Sequence, residues 1–311
     1  LNFRPRPPAA GRGLLYVFPG APELAEAYGG RVVVARAEPL LFGVDPERFR
    51  PLDPTPEERA RHGCRVGFVG TSLINNAVDG VRLTREGLAQ HPTAEGLRLG
   101  RMLDEMVRAQ TRDLFRWRLP EFMAEAEARH GAGFITGGGL TPEKETWSIL
   151  AGIHIAAIQR VAAAQRLAPL GMAVWGSAEW AHLDGVDYRG EAAWDTELPK
   201  VINATEVNVN LSKPMFPTGL APRILEVLAC GGFLLSNRLP AIEEAFEDGR
   251  DLVFFDSLKD LEDKVRHYLA RPEERRRIGE AGRRRVLEAH TWVHRARRIL
   301  DVLEADGVLP I

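Results

Sequence analysis

Residues Val207 to Asn237 read VNVNLSKPMFPTGLAPRILEVLACGGFLLSN, a strand, a loop, a helix, a glycine turn and a second strand. The first strand is predicted from the alternation of Val207, Val209 and Leu211 with polar residues, and the second from the apolar run that starts at Phe233. Gly231, followed by a second glycine, ends the helix because glycine permits positive φ. The stretch therefore predicts a βαβ unit of a parallel sheet.

The helix inside this stretch has two different faces. Successive residues are about 100° apart around a helix, which places one apolar side (Ile224, Leu225, Leu228, Ala229) opposite a side that carries Arg223, Glu226 and Cys230. A loop that enters a helix exposes unpaired N–H groups, and the helix dipole favours a phosphate there. The alternative is an ordinary i,i+3 ion pair between Arg223 and Glu226 on a solvated face.

Whole-chain composition limits the function classes. With 311 residues, 45% hydrophobic and 27% charged, the chain is globular and large enough for two domains. A net charge of −2 predicts no dominant attraction to anionic lipid or nucleic acid, so no nucleic-acid partner is expected. No apolar run reaches the roughly 18 residues of a transmembrane helix. The two cysteines, Cys64 and Cys230, suggest buried thiols in a reducing compartment, so a cytoplasmic location is expected.

Two domains are predicted. Residues 1–63 contain two short strands, Leu14–Phe18 and Arg31–Ala35, with a helical segment Pro22–Tyr28 between them, which are too few elements for a full Rossmann domain. They are read as a remnant or reduced N-terminal domain and linker. Residues 64–311 form the larger domain, which begins with the buried strand Cys64–Val69.

The larger domain contains a helical insertion at about residues 76–140, longer than a simple strand-to-helix connection requires. Thr141 and Pro142 then open a long helix that runs to about Leu167. His154 lies in that helix among apolar residues, and a core histidine is favoured over a catalytic base because no second titratable residue is nearby.

Small residues follow the first strand of this domain. Gly70, Thr71 and Ser72 form a loop that either approaches a diphosphate closely or makes a plain tight turn. Another strand, Met172–Trp175, follows the long helix. After the central stretch, Ser257-x-x-Asp260 predicts a capped helix. Ten arginines between Arg271 and Arg298 alternate with glutamates, which favours a solvated helix face over a basic binding surface.

The phrase R-I-L-E-V-L-A-C-G-G-F-L-L resembles the corresponding segment of GT-B glycosyltransferases, most closely the CgeB-like (spore maturation protein-like) group. LFGVDPERFRPL, at Leu41–Leu52, resembles the end of the first domain of that family. HTWVHR, from His290, resembles its closing H-T-x-x-H-R, for which an anchoring role is expected. The resemblance implies a GT-B-like α/β fold, with a Rossmann-like parallel sheet in the C-terminal domain, a helical insertion and a reduced acceptor-side N-terminal domain.

The same resemblance implies a function. A sugar would pass from a UDP-, GDP- or dTDP-linked donor, which is a substrate rather than a cofactor, to an unidentified glycan, protein or small-molecule acceptor. In related retaining enzymes a Glu-x7-Glu motif contacts the donor, and its second glutamate, which binds the ribose hydroxyls, corresponds to Glu226. Thr218 stands at the first position, which puts the donor sugar and the retaining stereochemistry in doubt. VDYRG, at Val186–Gly190, resembles the strand beside the nucleotide base, with an edge strand and turn as the alternative.

Arg223 and Lys213 are expected to neutralise the diphosphate. No Asp-x-Asp pair occurs in the sequence, so no metal site and a metal-independent transfer are predicted. The catalytic base stays unassigned. The predicted donor-binding residues are Gly70, Thr71, Ser72, Tyr188, Gly190, Lys213, Thr218, Gly219, Leu220, Arg223 and Glu226.

Two other functions fit the same sequence. A non-catalytic module that binds a nucleotide sugar or a partner protein is favoured by Thr218 and by the short N-terminal region. A nucleotide-sugar epimerase of the same fold would need no separate acceptor domain.

Overall fold

The computed structural model describes residues 16–17, 36–37, 39–75, 86, 90, 94–131 and 144–307. The strands are β1 (Tyr16–Val17), β2 (Arg36–Ala37), β3 (Cys64–Val69), β4 (Met172–Trp175), β5 (Asp187–Tyr188), β6 (Thr205–Asn210), β7 (Leu234–Asn237) and β8 (Val253–Phe255). The α-helices are α1 (Pro56–His62), α2 (Ala94–Arg112), α3 (Leu119–His130), α4 (Lys144–Leu167), α5 (Leu198–Ala204), α6 (Pro222–Ala229), α7 (Pro240–Ala245), α8 (Leu258–Leu269), α9 (Pro272–Ala289) and α10 (Trp292–Ala305). Two 3₁₀ turns, Ala168–Leu170 and Ala178–His182, flank β4.

Six strands form one parallel sheet in the order β5–β4–β3–β6–β7–β8. This is the doubly wound order, in which the chain starts in the middle of the sheet, builds one half and then returns to build the other. The order reverses between β3 and β6, so the chain that follows β3 and the chain that follows β6 lead to opposite halves of the sheet. The predicted α/β class with a Rossmann-like parallel sheet is confirmed. The division into domains at residue 63 stays a prediction.

The central βαβ unit forms as its sequence predicts. Strands β6 and β7 flank helix α6, and Gly231 follows that helix with a φ of +73°. All four residues of β7 are buried, as they are in β4. Strands buried on both faces carry continuous apolar runs rather than strict alternation, which is the pattern of β4, whereas β7 ends in the buried polar residues Ser236 and Asn237.

Two hydrophobic clusters cover the two faces of the sheet. One joins β3, β4 and β6 to helices α4 and α8 through residues such as Phe68, Leu167 and Val265. The other packs α5, α6 and α7 against the opposite face and includes Phe49 from the segment that precedes α1. Helices on both sides of the sheet leave the carboxyl ends of the strands as the open edge.

Helices α2 and α3 lie within the predicted insertion and pack together with the start of α4, through Met102, Met106, Met123 and Ala151. The rest of the insertion, the proposed helix start at Thr141 and Pro142, the strand predicted at Arg31–Ala35 and the helix predicted at Pro22–Tyr28 lie outside the described residues. Tyr16–Val17 falls inside the predicted strand Leu14–Phe18 and pairs in parallel with Arg36–Ala37.

The segment before α1 returns to the far end of the chain. Val44 forms a parallel bridge with Thr291, the N-cap residue of α10, and is 2% exposed. Its N–H donates to the carbonyl of His290 at 3.0 Å. Among the described helices, none is both long and apolar enough to cross a membrane.

Candidate functional site

A cavity of about 660 Å³ opens at the carboxyl ends of β3 and β6, where the strand order reverses. This is the position at which open α/β sheets bind ligands. Its lining comes from the ends of β3 and β6 with the loops that follow them, from helices α4 and α6, and from two other loops: Phe42, Phe68, Val69, Gly70, Thr71, Arg160, Trp194, Asn210, Leu211, Ser212, Lys213, Phe216, Gly219, Leu220, Ala221, Pro222, Arg223 and Glu226. Two aromatic side chains of this lining, Phe42 and Phe216, are 44% and 38% exposed.

The loop after β3 forms one wall and is held by its neighbours. The N–H of Gly70 donates to the Trp175 carbonyl, and the indole N–H of Trp180 donates to the Gly70 carbonyl at 2.9 Å. Leu73, two residues after Thr71, adopts a left-handed conformation with a φ of +63° and packs on α4. Such a backbone costs about 1 kcal/mol or more for a non-glycine residue, so surrounding contacts fix the shape of this loop.

Arg160, on helix α4, joins this loop to the loop after β6. Its Nη1 donates to the carbonyl of Thr71 at 2.8 Å, and its Nη2 donates to the carbonyl of Leu211 at 3.2 Å. The residue is 8% exposed, and its Nε lacks a hydrogen-bond partner in the described structure. Burial lowers the pKa of Arg160 to about 10, which leaves the guanidinium protonated at neutral pH. The crevice thus contains a buried cation bonded to neutral carbonyls.

Lys213 adds a second positive charge to the same wall. It is half-buried, and burial, followed by the charge of Arg160, lowers its pKa. Among the described residues, no carboxylate forms an ion pair with either Lys213 or Arg160. Two like charges held close together without a counter-ion disfavour the empty site and favour an anion between them.

A buried polar network fixes the start of the Lys213 loop. The N–H of Ser212 donates to Oδ1 of Asn237 at 2.7 Å, and the amide nitrogen of Asn237 donates back to the Ser212 carbonyl at 3.2 Å. Asn210 donates to Oγ of Ser212 and of Ser236, both at 2.9 Å. These bonds tie the ends of β6 and β7 together, so the loop leaves the sheet in one direction.

Glu226 faces the cavity from helix α6 and is held on both oxygens. Its Oε2 accepts a hydrogen bond from Nη1 of Arg223, and its Oε1 accepts one from the indole nitrogen of Trp194, each at 2.7 Å. Glu226 is 6% exposed, whereas Trp194 is 50% exposed. The Arg223–Glu226 pair is the i,i+3 ion pair considered from the sequence, but it lines a cavity instead of a solvated face.

Seven of the predicted donor-binding residues line the cavity: Gly70, Thr71, Lys213, Gly219, Leu220, Arg223 and Glu226. The structure brings them together from two separate parts of the chain, the loop after β3 and residues 213–226. The N-terminus of helix α6 lies at the same wall, so the positive end of its dipole is next to the cavity. No side chain caps this end of the helix. The N–H of Gly219, however, donates to the carbonyl of Phe216 at 3.1 Å and is already engaged within its own loop.

The other four predicted residues lie outside the lining. Ser72 is fully buried, and its N–H donates to Oγ of Ser177 at 3.0 Å. Tyr188, on the edge strand β5, donates its hydroxyl to the carbonyl of Gly176 at 3.1 Å. Gly190 accepts a hydrogen bond from the N–H of that same glycine at 2.9 Å, and Thr218 lies half-buried in the loop before α6.

Arg160 and Trp194 are among the cavity residues that sequence reasoning missed. A signal for Arg160 was present: it lies three or four residues from Ala156, Ala157, Ala163 and Ala164, all buried, so the helical period places it on the packed face of α4. A charged side chain on a packed face has to be hydrogen-bonded or paired with an opposite charge. Trp194 lies in a loop, where periodicity gives no information.

The remaining candidates have structural roles. His154 lies half-buried on α4, outside the cavity lining. Several arginines of the C-terminal helices contact backbone carbonyls of neighbouring elements: Arg275 with Tyr268 and Leu269, Arg283 with Ala229, and Arg285 with Ala245. These side chains anchor α9, so the stretch is more than a solvated face. The described residues contain no group of three or more potential metal ligands.

Residues 157–301 match a protein family described as glycosyl transferase-like. This match supports the glycosyltransferase superfamily that the sequence resembles, and it covers β4 to β8, α6 and most of the cavity wall. No curated protein matches the sequence significantly.

Similar solved structures include sucrose-phosphate synthase from Thermosynechococcus elongatus, with 13% identity and a TM-score of 0.48 over 93% of this chain. Anabaena HepE in complex with UDP-glucose has 10% identity and a TM-score of 0.48 over 95% of this chain. A glycosyltransferase from Rickettsia africae has 10% identity and a TM-score of 0.45 over 94% of this chain. The chain spans 58%, 65% and 63% of the lengths of these three proteins.

Proposed function

We propose that this chain carries the donor-binding domain of a glycosyltransferase, nearest to the CgeB-like group, which transfers a sugar from a nucleoside diphosphate to an acceptor. The observation that carries the proposal is the pair of cations in the crevice. Arg160 and Lys213 line the cavity without a carboxylate partner in the described residues, at the ligand-binding edge of the sheet. A diphosphate supplies the missing negative charge.

The pairing of charges in the cavity changes which residues are proposed to bind the diphosphate. Arg223 is neutralised by Glu226 at 2.7 Å and is therefore the weaker candidate for binding the diphosphate. Arg160 and Lys213 take that role in the proposal, because charge-assisted hydrogen bonds to phosphate are strongest where the cation has no other ionic partner. Glu226 is left to accept hydrogen bonds from the sugar hydroxyls of the nucleoside.

Catalysis follows from the same arrangement. When the bond from the sugar to the diphosphate breaks, negative charge develops on the leaving phosphate, and fixed cations stabilise it in the transition state. Metal-independent transfer follows if these two side chains supply the charge that a metal ion supplies elsewhere. Retention of configuration is also proposed, although Thr218 offers no carboxylate to the donor sugar. The acceptor is proposed as a glycan, a protein or a small molecule.

The test of binding compares two arginines on one helix. Calorimetry would measure the affinities of UDP, GDP, dTDP and inorganic diphosphate for the wild type, R160Q and R166Q. Arg166 is the matched control because it lies on α4, pairs with Glu262 and is outside the cavity lining. Loss of a charged hydrogen bond is expected to weaken binding in R160Q by about 1.5–3 kcal/mol, with R166Q unchanged.

The test of turnover uses a panel of nucleotide sugars. Nucleotide release that requires an added acceptor supports the transferase. Tight binding without release supports the non-catalytic module, and interconversion of the nucleotide sugar without an acceptor supports an epimerase. A wild type that binds no nucleoside diphosphate contradicts the proposal as a whole.

A further inference from the structure

Trp194 makes a contact that its exposure does not predict. The side chain is 50% exposed, yet its indole N–H donates to Oε1 of Glu226 at 2.7 Å. A half-exposed tryptophan normally points its N–H to water. Here the polar end of the ring is directed inwards, to a carboxylate that is 6% exposed.

The carboxylate of Glu226 is consequently fixed in orientation. Arg223 donates to one oxygen and Trp194 to the other, both at 2.7 Å. An ionised carboxylate oxygen can accept more than one hydrogen bond. Each oxygen therefore keeps acceptor capacity, and the two oxygens form a fixed pair of acceptors at the cavity wall. Such a pair is suited to two adjacent hydroxyl groups on one ligand.

The orientation of Trp194 is set in turn by the segment before α1. The guanidinium carbon of Arg48 lies 4.6 Å from the centre of the Trp194 ring system, and the ring of Phe49 lies 5.6 Å away at an interplanar angle of 58°. Phe49 is 1% exposed and belongs to the core under α6. Stacking by Arg48 and packing against Phe49 restrict the indole to one position.

One side chain of α5 also holds the same segment. Asn203, on α5, donates its amide to the carbonyl of Arg50 at 3.1 Å and accepts the N–H of Leu52 at 2.9 Å. The positions of Arg48 and Phe49 therefore depend on the packing of residues 48–52 against α5. A continuous set of contacts runs from this segment through Trp194 to Glu226.

We infer that Trp194 is a positioning residue, which orients Glu226 to accept hydrogen bonds from a vicinal diol and thereby selects ribonucleotide over 2′-deoxyribonucleotide donors. This inference rests on the proposed function and deepens it, because it separates UDP- and GDP-linked donors from dTDP-linked ones. Trp194 acts through Glu226. Removing its N–H should therefore alter ribose recognition while leaving diphosphate recognition intact.

The experiment uses W194F, which keeps an aromatic ring and loses the N–H, and W292F as the control. Trp292 is also 50% exposed, but it begins α10 and lies outside the cavity lining. Calorimetry would measure affinities for UDP and GDP, for their 2′-deoxy forms and for inorganic diphosphate. W194F is expected to bind the better ribonucleotide about 5- to 30-fold more weakly, with the 2′-deoxy form and diphosphate nearly unchanged. W292F should match the wild type.

A second variant separates positioning from general damage to the fold. E226Q alone should remove the preference for the ribonucleotide, and W194F combined with E226Q should cause no further loss, because both act on one contact. If W194F bound all five ligands more weakly by the same factor, the role of Trp194 would be merely structural and the inference would be overturned. So would a wild type that prefers the 2′-deoxy forms. A wild type that binds none of the ligands contradicts the proposed function instead, so the two failures are distinguishable.

Discussion

Lys213 and Arg160 meet at the end of β6 without a carboxylate partner in the described part of the chain. Burial and the adjacent guanidinium both lower the pKa of Lys213, since each disfavours the protonated amine. Lys213 therefore loses its proton at a lower pH than a solvated lysine. Arg160, with a pKa lowered to about 10 by burial, still carries its charge at neutral pH.

A pH dependence of binding follows at this residue. As the pH rises from neutral to alkaline values, Lys213 loses its proton before a solvated lysine would, so the affinity for UDP should fall by about 5- to 30-fold once the amine is neutral. K213R is the matched variant, because an arginine at the same position keeps its proton to a higher pH than a lysine does. Its affinity should decline less over the same range, as measured by calorimetry in buffers of equal ionic strength. Parallel curves for the two proteins would show that Lys213 does not contact the anion.

Helix α9 shows how closely neighbouring elements approach each other. A Cβ added to Gly282 would lie 2.2 Å from the carbonyl oxygen of Asp251, a backbone atom that cannot move aside easily. On α2, by contrast, a Cβ added to Gly100 would meet nothing within 4 Å. Two helical glycines in one chain thus differ only in their surroundings.

Substitution of both glycines by alanine should change stability in opposite directions. G100A is expected to raise the free energy of unfolding by about 0.5–1 kcal/mol, which is the helix-propensity gain of alanine over glycine. G282A is expected to lower it by about 1–3 kcal/mol, since overpacking outweighs that gain. Urea denaturation at one pH measures both. A stabilised G282A would mean that α9 can move away from the loop before β8.

The sequence was most informative about individual helices and strands. The bounds of β3 and β4 agree with those predicted, because buried apolar runs are local signals. Glu226 and Lys213 could be placed at one site from the sequence, because both lie within a single βαβ unit. Trp194 and Phe42 could not, because their contacts with that unit depend on how distant segments pack. Arg160 carried a readable signal, a charge on the apolar face of a helix.

At the scale of the whole molecule, the start of α10 holds the segment that carries Phe42 to the cavity. Arg295 donates to the carbonyl of Phe42 at 2.9 Å and to Nδ1 of His290 at 3.0 Å. Burial, followed by the charge of Arg295, lowers the pKa of His290 to about 4, so its imidazole is neutral and can accept this bond. The anchoring role expected for the HTWVHR motif thus extends to a segment about 250 residues earlier in the chain.

Replacement of Arg295 should affect both ends of this contact. R295Q is expected to lower the free energy of unfolding by about 1–3 kcal/mol, because it removes charged hydrogen bonds to partly buried acceptors. R297Q, an exposed position on the same helix, should stay within about 0.5 kcal/mol of the wild type. Denaturant titration gives both values. An R295Q variant as stable as R297Q would show that the segment is held mainly by the apolar packing of Val44 and Phe49.

The guanidinium of Arg160 spans the crevice from Thr71 to Leu211, and a span of this kind makes the two loops mechanically dependent on each other. Neither loop can separate from the sheet without breaking a bond that also restrains its counterpart. A ligand that binds Arg160 therefore acts on both loops at once, because one side chain holds them both.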